Sequence, residues 1–266
     1  MTYYRRPEGA YFLGTLVHEV KHISSHGYAL FAGRGFNPTW MEEGTAEIAV
    51  DKSSRDASGF TDGTRVGLYD MYPGGSLNSE TYGMGVVFHR ARAYLMASPL
   101  SALIGNPNPN PNGSTYYGAS WLFHRFLVDA YAGGAEDTFL HDLNTGGADE
   151  PWLESVTGRA VEALFVEFLV GTGVEGQPAA RAATARTFSS YDVAGIAQGW
   201  EGEWPYTLAT SDFSTGAFIL STHYTAANFF DFGSTGGTWL RLDAFNDLEE
   251  DLNPGDDVAM VITRIR

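Results

Sequence analysis

"HEVKH", residues 18–22, places two histidines four positions apart with a glutamate directly after the first. Four residues is close to one helical turn, so on a helix the two imidazoles stand one above the other on the same side. From there they can offer two ring nitrogens to one metal ion, at about 2.0–2.1 Å each. Glu19 points about a fifth of a turn or more away from the pair. It can meet a water at the metal without being a first-choice ligand, the position a general base needs. Gly14 and Thr15, one turn before His18, leave room above the site.

The surrounding residues support a helix. Leu13, Leu16, Val17 and Val20 fall at i, i+3, i+4 and i+7, the apolar stripe by which an amphipathic helix meets a core. The spacing predicts a helix over 9–27, with Gly27 as its stop.

A chance HExxH arises in roughly one chain in a hundred of this length, so a third ligand is needed. His26 lies eight residues beyond His18, a rise of about 12 Å on a continuous helix, and is better read as a helix-end histidine favoured by the C-terminal dipole. No glycine turn brings it round as in HExxHxxGxxH. Glu43 is the better ligand. "NPTWMEEGTAEIAV", 37–50, predicts a second helix with Asn37 or Thr39 as cap and Glu42 and Glu43 in its first turn. Trp40, Ala46 and Ile48 to Val50 form its inward face. Packed antiparallel to the first, this helix delivers a carboxylate beside the histidines, with Glu42 the competitor of Glu43.

Together, "HEVKH" and "WMEEGTAE" resemble the gluzincin zinc metallopeptidases, and the hyicolysin-like peptidases are the nearest group. The family's ligand glutamate, directly before a glycine, falls on Glu43, twenty-one positions after His22. The family also carries an acid four residues later that accepts a hydrogen bond from a liganding histidine, which falls on Glu47 and would fix the imidazole tautomer. The resemblance thus implies one Zn²⁺ per chain held by His18, His22 and Glu43, with Glu19 as general base of peptide-bond hydrolysis. Zinc is the expected ion for a His₂Glu set. Family members take an oxyanion donor from a later element, here Tyr117 with Tyr116 second. They also carry a sheet ahead of the HExxH helix. Only 17 residues precede His18 here, which suggests a fragment, an internal start or a replacement strand.

Composition sets the outer bounds. With 266 residues, 44% of them hydrophobic and 14% aromatic, the chain can build a sizeable core. Its 16 basic and 32 acidic residues leave a net charge of −16, unfavourable for nucleic acid or anionic lipid. The absence of cysteine leaves His, Asp and Glu as the strong metal ligands. The longest apolar run, "ALFVEFLV" at 163–170, is far short of the roughly 20 residues that span a bilayer, so no membrane span is expected. Acidic, cysteine-free composition rich in Gly, Asn and Tyr suggests a secreted or cell-surface protein whose leader is not in this chain.

Residues 52–80 read as a long irregular connection, "GVVFHRARAYLMA" as a helix, and "NPNPNPNG", 106–113, as an exposed loop. "YYGASWLFHRFLVDAYAGG" predicts a helix stopped by two glycines, and further helices are expected at 136–144, 158–171 and 178–187. His89 and His124 lie within apolar helix patterns and read as packing residues, while His141 and His223 carry no signal. From about 200 the runs "AFILSTHYTAANFFDF", "GTWLRLDAF" and "DDVAMVITRIR" suggest strands and hairpins. The expected fold is α+β: a mainly helical, zincin-like catalytic domain over 1–200, then a small antiparallel β domain over 201–266, joined at "GWEGEWPYT". The acidic tract "DLEEDLNPGDD", 247–257, offers carboxylates to Ca²⁺ but lacks EF-hand spacing, and a solvated hairpin loop is the preferred reading. The expected partner is a peptide or protein substrate. The alternative is a non-catalytic, peptidase-like module that binds metal and a surface glycan or protein. Glu19 argues against it, because a structural site closes its fourth position and has no use for a base.

Overall fold

The computed structural model describes residues 12–71, 75–77, 82–96, 113–146, 150–175, 178–196, 211–212 and 230–231. Its architecture is helical: α1 Phe12–Ala32, α2 Thr39–Ala57, α3 Leu68–Met71, α4 Met84–Met96, α5 Gly113–Tyr131, α6 Glu136–Thr145, α7 Glu150–Thr157, α8 Val161–Val174 and α9 Pro178–Ala183. The central helix is α5, which packs against α2, α4 and α8, while α1 packs against α2. Trp121, Leu122, Phe123, Phe126 and Leu127 of α5 are all buried. Phe168 of α8 meets Phe123 and Phe126 edge to face, with ring centroids 5.4 and 5.8 Å apart, the arrangement aromatic quadrupoles favour.

The core also holds a charge. The buried Arg125 guanidinium lies 2.8 Å from both Asp129 and Glu136 and 3.5 Å from Asp51. Asp51 in turn accepts hydrogen bonds from Tyr191 Oη at 2.6 Å and Trp121 Nε1 at 3.2 Å. A buried cation persists only when so compensated, and this cluster ties α2, α5 and α6 to the segment around Tyr191.

The orientation of α1 differs from expectation. Leu13, Leu16 and Val20 are exposed, and only Val17 of the predicted stripe packs against the core. The buried line is Gly14, Lys21, Ser25 and Ala29. Helical periodicity predicts a helix but not which side meets its neighbour; here α2 presents carboxylates, and the polar side of α1 turns to meet them. Phe12, Ile23, Leu30 and Phe31 join the outward apolar side.

Element ends shift too. The helix runs through Gly27, since one interior glycine costs only about 1 kcal/mol. It stops at Gly33, whose φ of 64° is a left-handed cap, with Arg34 N donating to Ala29 O at 3.0 Å. Neither Asn37 nor Thr39 caps α2. Pro38 stands at the cap, and its carbonyl accepts from Met41 N and Glu42 N. Residues 52–57 belong to α2 rather than to the connection, and α3 interrupts that connection. The unforeseen α7 carries Pro151 in its first turn, where no amide hydrogen is needed.

The antiparallel β domain is not what the described residues show. The strands described beyond residue 200 are β1 Ser211–Asp212 and β2 Phe230–Asp231, paired in parallel with Ser211 opposite Phe230 and Asp212 opposite Asp231. Earlier in the chain, a single parallel bridge joins Val66 to Tyr191. The acidic tract 247–257, His223, residues 106–112 and most of 201–266 lie outside the described residues. Among the described residues no helix is long and apolar enough to cross a membrane.

The orientation of α1 makes a prediction opposite to its hydrophobic pattern. Ile23→Ser, at a position 71% exposed, should change unfolding free energy by less than about 0.5 kcal/mol. Ala29→Leu, at a position 1% exposed, should cost about 1–3 kcal/mol by overpacking. Urea titration of both variants measures the difference.

Candidate metal centre

Contacts between α1 and α2 advance from His18 with Glu47 to Ser25 with Glu42, so the helices run antiparallel. This brings the two histidines of α1 over the start of α2. His18 Nε2 lies 3.1 Å and His22 Nε2 3.6 Å from the same oxygen, Glu43 Oε2. One ligand atom from each of the three residues lies within 4.8 Å of the others, and among the described residues this is the only such His, Cys, Asp or Glu cluster. The three side chains are 16–19% exposed, so the group opens to solvent on one side. Two imidazole nitrogens and a carboxylate oxygen in this arrangement are a donor set that could hold a divalent metal ion.

Behind the histidines stand two acids in different geometries. Glu42 turns away from the cluster, and its Oε1 accepts from His22 Nδ1 at 2.9 Å. With its proton on Nδ1, a neutral His22 keeps the Nε2 lone pair for the cluster. Glu42, weighed in the sequence only as a rival ligand, is thus the acid behind His22. Glu47 Oε1 is 3.9 Å from His18 Nδ1, beyond hydrogen-bond length, so the expected bond to a histidine is not formed. Instead Glu47 accepts from Arg90 at 2.7 Å. Arg90 also lies over the Tyr117 ring, 5.0 Å from its centroid. No spacing pattern pointed to Arg90, because its partner is 43 residues away in sequence.

Charge follows geometry. Burial raises the Glu42 carboxyl, but the Lys21 charge and hydrogen bonds from Ser25, His22 and Lys21 outweigh it and bring the pKa to about 2. Burial likewise opposes ionisation of Glu43, and the His18 hydrogen bond and both imidazole charges overcome it, holding Glu43 below its ordinary value. At His18 burial lowers the pKa, while the Glu43 hydrogen bond and the charges of Glu47, Glu43 and Glu19 raise it further. Glu47 is raised, chiefly by burial.

The remaining candidates are distributed around this group. Glu19 is exposed on α1, close enough for its charge to act on His18 and Tyr117. Burial and the Glu43 charge raise both Tyr116 and Tyr117, so both phenols stay protonated. The Tyr116 hydroxyl is buried without a hydrogen-bond partner among the described residues. His26 lies outside the cluster, its ring 6.2 Å from that of His22 and 4.7 Å from that of Phe36. His124 is fully buried and donates from Nδ1 to Ser120 O at 2.7 Å; burial lowers its pKa to about 4, which keeps it neutral. It packs so closely on α2 that a Cβ at Gly44 would stand 2.1 Å from its Nδ1. The glycine after Glu43 therefore lets α2 sit down on α5. His141 is exposed at the surface.

No family model, curated protein or solved structure matches this chain. The likeness to gluzincins rests on the residues of α1 and α2, with weaker support from the "YYGASWLFHRF" stretch of α5.

The His18–Glu43 pair sets a pH dependence. A histidine whose folded pKa is raised contributes stability that is complete below its unfolded value of 6.5 and is lost as pH rises through the folded value. Glu43, lowered, contributes stability present above 4.5 and lost as pH falls through its folded value. Chelator-treated protein should therefore show a urea midpoint that declines as pH is raised from about 6 to about 9. His18→Gln should remove the part of that decline due to this pair. Metal binds in competition with the same proton, so zinc affinity should rise over the same interval.

Proposed function

We propose that the chain is a zinc-dependent peptidase, with His18, His22 and Glu43 as ligands and Glu19 as general base. The observation that carries this reading is the convergence of two imidazole nitrogens on Glu43 Oε2 beside an exposed glutamate of the same helix. Bound zinc would polarise a peptide carbonyl and lower the pKa of a nearby water towards about 7. Glu19 takes a proton from the attacking water and returns it to the leaving amine, so no covalent intermediate is required. Tyr117, with Tyr116 second, donates to the oxyanion; protonated phenols beside Glu43 are suited to that task. Glu42 holds His22 from behind, and Glu47, held by Arg90, stands 3.9 Å from His18.

An exposed base with no hydrogen-bond partner among the described residues separates catalysis from a purely structural site. Glu19→Gln should keep zinc and its fold while cleavage of a quenched casein substrate falls about 10²- to 10⁴-fold. Equal cleavage by wild type and variant would remove Glu19 from the mechanism. Zinc uptake without cleavage by either protein would contradict the peptidase reading.

A further inference from the structure

Lys21 occupies one of the two variable positions inside "HEVKH", and its side chain is buried, 7% exposed, between α1 and α2. Its ammonium lies 2.9 Å from Glu42 Oε2 and donates to the Glu42 backbone oxygen at 3.0 Å. The same carboxylate is filled on every side. Oε2 also accepts from Asn37 Nδ2 at 2.7 Å, and Oε1 accepts from His22 Nδ1 at 2.9 Å and from Ser25 Oγ. His26 Nε2, 3.9 Å away, is beyond hydrogen-bond length. A carboxylate has about four lone-pair directions, and here four donors use them.

We propose that Lys21 and Glu42 are positioning residues for the metal centre: the buried ion pair fixes the His22 ring and its Nδ1–H tautomer, so that Nε2 faces Glu43. The proposal rests on the metal-site reading above. Three features carry it. The His22 contact uses one oxygen of Glu42 while Lys21 and Asn37 hold the other, so the carboxylate cannot turn without breaking bonds at both ends. Lys21 also grips the backbone of the residue before Glu43, so one side chain locks the acid behind His22 and the peptide that carries the ligand. Finally, Glu42 puts a second negative charge next to Glu43, and Lys21 neutralises it where solvent does not. The ionised acid, more basic than a neutral amide, gives the stronger hydrogen bond to His22 Nδ1–H, and the lysine lets that charge stay buried.

Glu42→Gln keeps the shape of the side chain and removes its charge. It should weaken zinc binding by about 10- to 100-fold in chelator competition, the range found when a ligand's hydrogen-bond partner is lost. Lys21→Met should weaken it comparably. The double variant should lose no more than the worse single one, because both act through the same contact with His22. Cobalt-substituted protein gives a readout that general destabilisation does not move: the visible ligand-field bands should shift in Glu42→Gln at a temperature where circular dichroism shows the variant folded. If Lys21→Met does not fold, Glu42→Gln and the double variant, in which no buried charge is stranded, still decide the matter. Wild-type zinc affinity and an unchanged cobalt spectrum in Glu42→Gln overturn the positioning role and leave the metal site standing. A wild-type chain that takes up neither ion overturns both.

Discussion

The polar contact between α1 and α2 sets the terms for the rest of the structure. The inward side of α1 carries His18, Lys21, His22 and Ser25, and each polar group taken out of water there needs a partner. α2 answers with Glu42, Glu43 and Glu47, buried or nearly so. Those pairings fix rotation and register at once, because turning α1 by one residue would strand an ammonium or a carboxylate in the interface. The apolar side of α1 is left facing outward as a consequence.

The same constraint joins site and core. Of the described helices that touch both α1 and the central α5, α2 makes the most extensive contacts. Its first half supplies the acids that meet α1; its second half supplies Asp51, which receives Trp121, Tyr191 and Arg125 from the interior. Gly44 lies against His124 of α5 directly after Glu43, so the position of the candidate ligand depends on a close approach between two helices. The clustered side chains are thus carried on helices packed against the core, as a site of fixed geometry requires.

The clustering of His18, His22 and Glu43 was legible in the sequence because its information is local. His18 and His22 are one turn apart, and Glu42 and Glu43 open the next predicted helix, so the spacing brings two imidazoles and a carboxylate within reach of one place. The helices α5, α6 and α8 were legible for the same reason, through periodicity and glycine stops, whereas α7 was not. What periodicity does not encode is the chemistry of the neighbour. Leu13, Leu16 and Val20 looked inward by pattern, yet the carboxylates of α2 attracted the opposite side of the helix. Glu42 and Glu43 are adjacent and chemically alike, and only the turn of α2 decides that one faces the cluster and the other stands behind His22. Arg90 joins Glu47 and Tyr117 from α4, a contact set by tertiary packing alone. Beyond residue 200, β-branched and aromatic runs predicted antiparallel hairpins, whereas the pairing described there is parallel.

The central claim is that His18, His22 and Glu43 hold one metal ion. X-ray absorption at the zinc edge tests it most directly, on protein loaded with zinc and dialysed. The account predicts one zinc per chain with two imidazole ligands and oxygen donors completing the coordination, and loss of the imidazole signature in His18→Gln/His22→Gln. Protein that retains no zinc, or zinc surrounded by oxygen alone, would contradict it.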